Sequence, residues 1–324
     1  KRLLKCEASL IVKKSWSGEP SLDQLQLVMK QVEQFQPDTI VALGGGSVID
    51  GAKLVWLLYE APQLTNEQLF RPLGLPPLRG RSRFVAIPTT IGTGSEVSSA
   101  AVIFDQKTGS KKTVTSHDFL PDLVLLDPEL VMDVPISVLY ATLADALSHA
   151  IEGYVSKIIH PLMDTFAEKT VAIVAMHWQE LRKAEPDLEI ISELQHAAMM
   201  AGWVQNHCLV GMSHAIAHQL SGYGISHGIA NAVLMPQVIK FNRQDDNTRK
   251  RYEKLAHYAG FKGGVDGLID LFKQLIAASG QQDVFQQAFN VDNIAKHALL
   301  DPVAKSNPIV FTSDNVKEVL ATCL

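Results

Sequence analysis

Two groups of acidic and imidazole side chains stand out in the second half of the sequence. Asp145 and His149 are four positions apart, so that on a helix both side chains lie on one face. His214, His218 and His227 fall within 14 residues of a stretch rich in small apolar residues. One carboxylate and up to four imidazoles form a donor set suited to Fe²⁺ or Zn²⁺. We therefore expect a divalent metal site, and the alternative is a set of buried polar groups satisfied by structural hydrogen bonds.

A run of three glycines and a serine in the first half of the chain predicts a phosphate-binding turn. It follows the apolar segment 39–43 and precedes a helical pattern over 48–59. Glycine lets the backbone approach a ligand closely, and the free N–H groups and dipole of the following helix favour an anion. The run matches neither Gly-x-Gly-x-x-Gly nor a lysine-containing P-loop, so a plain tight turn is the alternative. The turn consists of Gly44, Gly45, Gly46 and Ser47, and Asp50 follows as a capping residue or a ligand contact.

A second candidate loop, residues 89–96 with the sequence TTIGTGSE, is rich in hydroxyl groups and follows the apolar segment 84–87. Open α/β sheets bind their ligands at the carboxyl ends of the strands. Because both loops follow segments that read as strands, we expect them to face the same ligand. A hydroxyl-rich loop without a ligand is the alternative.

The elements that must position these residues change in character near residue 127. Before it, short apolar segments bounded by turn residues are typical of strands buried on both faces of a parallel sheet. These segments cover residues 39–43, 84–87 and 123–126, with a hairpin formed by 100–104 and 112–115 and a helix over 22–35. After it, helical periodicity dominates. The predicted helices cover residues 137–156, 163–178, 191–209 and 214–220, with several more between 229 and 324.

The predicted architecture is therefore an α/β nucleotide-binding domain over residues 1–127 followed by an all-helical domain over 128–324. The composition narrows the class of protein further. Lys and Arg number 29 and Asp and Glu 34, for a net charge of −5, which argues against a nucleic-acid partner. The apolar stretches are too short for a membrane span. Three widely spaced cysteines fit a reducing cytoplasm and argue against a disulfide framework.

In content and order, these motifs resemble those of the iron-dependent (group III) alcohol dehydrogenase family. The segments that carry the resemblance are GGGSVIDGAK, PTTIGTGSEV, LVLLDPEL, DALSHAIEGY and GMSHAIAHQLSGYGISHGIANAVLMP. The resemblance implies a Rossmann-like N-terminal domain that binds NAD or NADP and a helical domain that binds one divalent metal, Fe²⁺ with Zn²⁺ as the alternative. In the family, the first strands of the nucleotide domain and the acidic residue that helps to choose between NAD and NADP lie before the position of Lys1, so we expect this chain either to be a shortened gene product or to lack its start here.

The resemblance assigns roles to individual residues. The implied metal ligands are Asp145, His149, His214 and His227, and the implied active-site histidine outside the ligand set is His218. The implied cofactor contacts are Gly44, Gly45, Gly46, Ser47, Asp50, Thr89, Thr90, Thr93 and, beside the ribose, Lys111 or alternatively Lys112.

The implied reaction is hydride transfer between NAD(P) and a small alcohol or aldehyde. The main alternative is a metal-dependent lyase of the dehydroquinate-synthase type that uses NAD. Such a lyase needs a basic pocket for carboxylates, and only Lys157 lies near the metal motifs. A metallohydrolase would leave both nucleotide loops without a role, and a non-catalytic relative has no need of the complete ligand set. The family resemblance also predicts a homodimer or a larger homo-oligomer.

Overall fold

A short parallel sheet organises the N-terminal part of the chain. The computed structural model describes residues 18, 20–71, 74–105, 110–183 and 185–323. Its strands are β1 (Thr39–Gly44), β2 (Arg83–Pro88), β3 (Ala100–Asp105), β4 (Ser110–Thr115) and β5 (Leu123–Val124). Strands β1, β2 and β5 lie side by side in that order and run parallel, while β3 and β4 pair as an antiparallel hairpin. The predicted parallel sheet and hairpin are confirmed.

Helices make up most of the remainder of the chain. They are α1 (Leu22–Phe35), α2 (Gly46–Glu60), α3 (Asn66–Leu69), α4 (Ile136–Val155), α5 (Pro161–His177), α6 (Leu188–Cys208), α7 (Met212–Leu220), α8 (His227–Asn242), α9 (Asp246–Tyr258), α10 (Val265–Ser279), α11 (Val291–Leu300) and α12 (Ser313–Ala321). The combination of an α/β N-terminal part and a helical C-terminal part is as predicted. The helix predicted over 48–59 begins two residues earlier, so that Gly46 and Ser47 form its first turn.

The sheet is covered on one face by α2. Trp56 of α2 stacks on Phe84 of β2 with ring centroids 5.2 Å apart, and both side chains are fully buried. The opposite face of β1 is open to solvent within the described residues, since Val41 and Leu43 are each 53% exposed. The prediction that β1 is buried on both faces is therefore wrong for the described part of the chain. An apolar strand can be covered on both faces only where an element packs on each, and here the described elements cover one.

Helix α4 is the centre of the helical part. Its sequence is almost continuously apolar, and residues around its whole circumference are buried against α5, α6, α8 and α10. A helix with apolar residues on all sides belongs inside a bundle. The polar residues Asp145, His149 and Glu152 on this helix are therefore surrounded by packed side chains rather than by water.

The loop after β2 joins the two parts through direct backbone contact. A Cβ atom added to Gly94 would lie 2.4 Å from Cα of Gly202 on α6, and one added to Gly92 would lie 1.9 Å from the carbonyl oxygen of Thr142 on α4. Gly94 also adopts a φ of +63°, which side-chain-bearing residues rarely occupy. The loop expected to contact a ligand is thus seated directly on two helices of the helical part.

Candidate active site

Four side chains predicted as metal ligands converge at one point. One donor atom from each of Asp145, His149, His214 and His227 lies within 4.8 Å of every other. The Nε2 atoms of His149, His214 and His227 lie 3.9, 3.7 and 3.7 Å from the same carboxylate oxygen, Oδ1 of Asp145. Ligands about 2.0–2.2 Å from a tetrahedral ion are separated by about 3.3–3.6 Å. The spacing is therefore close to that of a mononuclear metal site.

Three helices bring these donors together. Asp145 and His149 lie one turn apart on α4, His214 lies in the first turn of α7, and His227 is the first residue of α8. Helix α8 approaches α4 closely, because a Cβ atom at Gly228 would lie 2.0 Å from the carbonyl oxygen of Ala141. The glycine that follows His227 thus allows this ligand to reach the donors on α4.

The protonation of the cluster suits a cation. Burial lowers the pKa of His149 to about 4, and it lowers the pKa of His227 well below its usual value, so both rings are neutral near pH 7. Burial alone would raise the pKa of Asp145, but the neighbouring imidazoles hold it well below its usual value. Nε2 of His214 is buried and lacks a hydrogen-bond partner among the described residues. A carboxylate, two neutral imidazoles and a third ring whose Nε2 faces the same point form a donor set suited to Fe²⁺ or Zn²⁺.

His214 differs from the other two imidazoles. Burial would lower its pKa, but the negative charges of Asp145 and Glu152, together with the hydrogen bond to Glu152, outweigh burial and raise that pKa to about 9. Its Nδ1 atom lies 2.6 Å from Oε2 of Glu152. The sequence reasoning did not single out Glu152. The sequence did contain an indication of this residue. Glu152 follows His149 by three positions in an apolar helix, which places it on the face that carries the two ligands.

His218 lies beside the cluster of four. Its ring stacks on that of His227 with centroids 5.3 Å apart, and its side chain is 29% exposed. Nδ1 of His218 lies 2.7 Å from Oδ2 of Asp301. The structure therefore places this histidine between the candidate ligands and solvent, with one ring nitrogen already paired. The partner, Asp301, was not predicted from the sequence.

The two predicted nucleotide loops lie against each other. The backbone N–H of Thr89 donates a 3.0 Å hydrogen bond to the carbonyl oxygen of Gly44. A Cβ atom at Gly45 would lie 3.2 Å from Cγ2 of Thr90, and one at Gly46 would lie 2.8 Å from Cγ2 of Thr93. The glycines of one loop thus pack against the threonines of the other.

The start of helix α2 fits an anion. Gly45 is its N-cap and supplies no side-chain acceptor for the backbone N–H groups of the first turn. The hydroxyl oxygen of Thr90 is buried and has no hydrogen-bond partner among the described residues. A helix start without a side-chain cap, an unpaired Thr90 hydroxyl and the positive end of a helix dipole are suited to a phosphate group.

Asp50 and Lys111 occupy different surroundings from these loops. Asp50 is buried, and its Oδ2 accepts a 2.9 Å hydrogen bond from the backbone N–H of Val102, which ties α2 to the hairpin. The positive charge of Lys111 is one of the causes that lower the pKa of His227, after burial and the charges of His214 and His218. Lys112 instead pairs with Asp105 at 2.5 Å.

None of the helices in the described part of the chain combines the length and apolar character that crossing a bilayer requires.

The family model described as iron-containing alcohol dehydrogenase matches residues 1–128. The model described as Fe-containing alcohol dehydrogenase family, C-terminal, matches residues 139–324.

Individual relatives agree with the family models. An NADPH-dependent butanol dehydrogenase of Clostridium saccharobutylicum is 34% identical over 315 residues, which cover 93% of this chain and 80% of the relative. An alcohol dehydrogenase of Thermococcus barophilus is 33% identical over 314 residues, covering 93% and 81%. The solved structure of an iron-containing alcohol dehydrogenase from Thermococcus thioreducens matches with a TM-score of 0.85 and 31% identity, covering 94% of this chain and 82% of that one. The chain therefore belongs to the iron-containing alcohol dehydrogenase family.

Proposed function

We propose that this alcohol dehydrogenase transfers a hydride between NAD or NADP and a small alcohol or aldehyde at a single divalent metal bound by Asp145, His149, His214 and His227. The observation that carries the proposal is the set of three imidazole Nε2 atoms, each 3.7–3.9 Å from one oxygen of Asp145. The named relatives are dehydrogenases, which favours this reaction over the lyase alternative.

The residues of the cluster hold the cation and exclude water from most of its surroundings. Asp145, His149 and His214 are each at most 4% exposed, and only His227 is half-buried. When bound, a divalent ion, Fe²⁺ in keeping with the family, supplies Lewis-acid polarisation of the substrate oxygen. The side of His227 is the open side of the cluster, so the substrate would approach there.

His218 stands on that open side and would handle the proton. The carboxylate of Asp301 favours a proton on Nδ1 of His218, and this leaves Nε2 to accept or donate a proton. The ring is held by two contacts, the stack on His227 and the hydrogen bond to Asp301, so its orientation is set before the substrate binds.

The cofactor would lie along the two packed loops. Gly45, Gly46 and Ser47 at the start of α2 would bind the pyrophosphate, and Thr90 and Thr93 would flank it from the second loop. Thr89 and Gly44 would hold the two loops together through their backbone hydrogen bond, and the Asp50 side chain would fix the start of α2 to the hairpin by accepting from the N–H of Val102. The loop 89–96 also touches α4 and α6, so a cofactor bound along it would have its nicotinamide directed toward the metal site, where the charge of Lys111 acts on His227.

Three further properties complete the proposal. The division into domains falls between residues 127 and 128, the enzyme is cytoplasmic, and it forms a homodimer or a larger homo-oligomer. The domain boundary rests on the change in sequence character near residue 127. The oligomeric state rests on the family resemblance, and the compartment rests on the cysteine content. Light scattering at micromolar concentration tests the assembly, and a monomer would contradict it.

The reaction is tested by removing the metal with a chelator and restoring it. The untreated enzyme is expected to change nicotinamide absorbance with a panel of short alcohols and aldehydes. The chelated enzyme is expected to lose that activity and to regain it with Fe²⁺ or Zn²⁺. Full activity in protein shown by elemental analysis to hold no metal would contradict the proposal.

A further inference from the structure

Glu152 is a buried acid to which the proposed reaction assigns no role. It lies on α4, and only 2% of it is exposed. Its Oε2 lies 2.6 Å from Nδ1 of His214, and its Oε1 accepts a 2.7 Å hydrogen bond from the backbone N–H of Ser213. One carboxylate therefore contacts both a candidate ligand and the backbone beside that ligand.

The same carboxylate supplies a cap for helix α7. Gly211 precedes this helix and offers no side-chain cap. Two side chains from outside the helix replace it: Glu152 accepts from the N–H of Ser213, and Oδ1 of Asn307 accepts a 3.1 Å hydrogen bond from the N–H of Met212. The first turn of α7, which carries His214, is thus fixed to α4.

A closed path of hydrogen bonds leads from Glu152 back to another candidate ligand. The Ser213 hydroxyl donates to Oδ1 of Asn231 at 2.8 Å, and Nδ2 of Asn231 donates to Oδ1 of Asp145 at 3.1 Å. Ser213 and Asn231 are both fully buried. A buried polar network in which each group has a partner holds its members in one arrangement. Here the network links Asp145 and His214 from behind.

We propose that Glu152 is a positioning residue that keeps the proton of His214 on Nδ1 and so presents Nε2 to the metal. The inference rests on the proposed metal site. The carboxylate can only accept at Nδ1, and on the other side of the ring Nε2 is buried without a hydrogen-bond partner among the described residues, 3.7 Å from Oδ1 of Asp145. Carboxylates that accept from the second ring nitrogen of a ligating histidine fix its tautomer and orientation.

The number of acceptor atoms on Glu152 suggests a specific test of its role. Two N–H donors, Ser213 N–H and His214 Nδ1–H, meet the two oxygens of Glu152. In Glu152→Gln one oxygen is replaced by an NH₂ group that can only donate. The backbone N–H cannot rotate away, so the remaining oxygen stays with Ser213 and the NH₂ faces Nδ1 of His214. That ring is then driven to carry its proton on Nε2, where it cannot bind a metal.

The experiment measures Co²⁺ binding to chelator-treated full-length protein by its visible absorption. We expect E152Q to bind Co²⁺ about 10- to 100-fold more weakly than the wild type, as for other carboxylates behind metal ligands. The matched control is Glu168→Gln, a buried acid on α5 that accepts from the Tyr154 hydroxyl at 2.9 Å and contacts no candidate ligand. E168Q is expected to bind Co²⁺ as the wild type does.

The outcomes separate the two proposals. Equal Co²⁺ affinity in E152Q and the wild type would overturn the role of Glu152 and leave the metal site standing. A wild type that binds no Co²⁺ would overturn the metal site itself. The tautomer is read directly from ¹⁵N-histidine spectra of the Zn²⁺-loaded wild type, which do not depend on the folding of a variant. We expect the proton of His214 on Nδ1, and a proton on Nε2 would overturn the inference.

Discussion

The metal side and the nucleotide side of the active site differ in the kinds of residues that form them. The metal side consists of ionisable side chains, Asp145 and three histidines, held by helices in a site that is buried except on the side of His227. The nucleotide side consists of glycines, threonines and the start of helix α2 at the end of a sheet. The first half depends on which side chains are present, and the second depends on which are absent. Substitutions should therefore damage the two sides in different and separable ways.

The largest expected effect comes from removing a ligand. His227→Ala takes away one of four donors, and we expect turnover to fall about a thousandfold or more, because a Lewis acid contributes several kcal/mol to the barrier. Elemental analysis should show loss of metal. Titration of NADH or NADPH by fluorescence should show unchanged binding, because the nucleotide loops lie on other elements. Loss of both functions together would mean that the two sides are not separable.

A smaller loss is expected from His218→Ala. The residue lies outside the cluster of four, so metal content should match the wild type, while hydride transfer slows about 10²- to 10⁴-fold, the usual contribution of a general acid or base. Single-turnover absorbance of the nicotinamide measures the step. If H218A loses the metal and H227A retains it, then His218 rather than His227 is the metal ligand and our assignment is wrong.

On the nucleotide side, Gly45→Val should act by adding a side chain. A Cβ atom there already lies 3.2 Å from Cγ2 of Thr90, so two further methyl groups would fill the space that a pyrophosphate needs. We expect dinucleotide affinity to fall about 10- to 100-fold, equivalent to one lost hydrogen bond to a charged group. Metal content should be unchanged. Equal dinucleotide affinity in variant and wild type would contradict the pyrophosphate assignment.

The last effect is on stability rather than on activity, and it concerns a buried charge behind the nucleotide loops. Lys53 on α2 is fully buried, and its Nζ donates to the carbonyl oxygens of Ser98 and Ala100 at 2.8 and 2.9 Å. Burial lowers its pKa from 10.5 to about 8, against the raising effect of Asp50 and Glu96. Between these two pH values the unfolded chain binds more protons than the folded one, so this residue makes stability rise with pH.

Lys53→Met removes that rise. We expect the wild type to gain at most about 3 kcal/mol of unfolding free energy relative to K53M between pH 8 and 10.5, at 1.36 kcal/mol per pKa unit. Urea unfolding at several pH values measures it. Lys30→Met, on an exposed position of α1, is the control and should show no such trend. A pH-independent difference between K53M and the wild type would contradict the assignment.

The sequence predicted the parts of the site that depend on local spacing. The four-residue interval between Asp145 and His149 implied one helix face, and the hairpin pairing is confirmed, with Ala100 opposite Thr115. The positions of Glu152 and Asp301 beside histidines were not predicted, because each contact joins residues more than 60 positions apart. No local periodicity encodes such a pairing.

The predicted burial of β1 failed for a related reason. The apolar residues of segment 39–43 are suited to burial. Whether each face of the strand is buried depends on which other elements of the protein pack against that face. In the described chain α2 covers one face and leaves Val41 and Leu43 exposed on the other. A strand can thus be predicted from a short segment, whereas its burial on both faces depends on how the sheet and helices pack together.

Helix α4 carries two candidate ligands and the acid that contacts a third, all within the eight residues from Asp145 to Glu152. A deletion or insertion of one residue inside this segment would rotate the later members by about 100° relative to the earlier ones. The site therefore tolerates substitution elsewhere on the helix far better than any change in its length. For protein engineering, these eight residues would have to be moved intact, together with the helix starts that carry His214 and His227, to build this centre into another helical bundle.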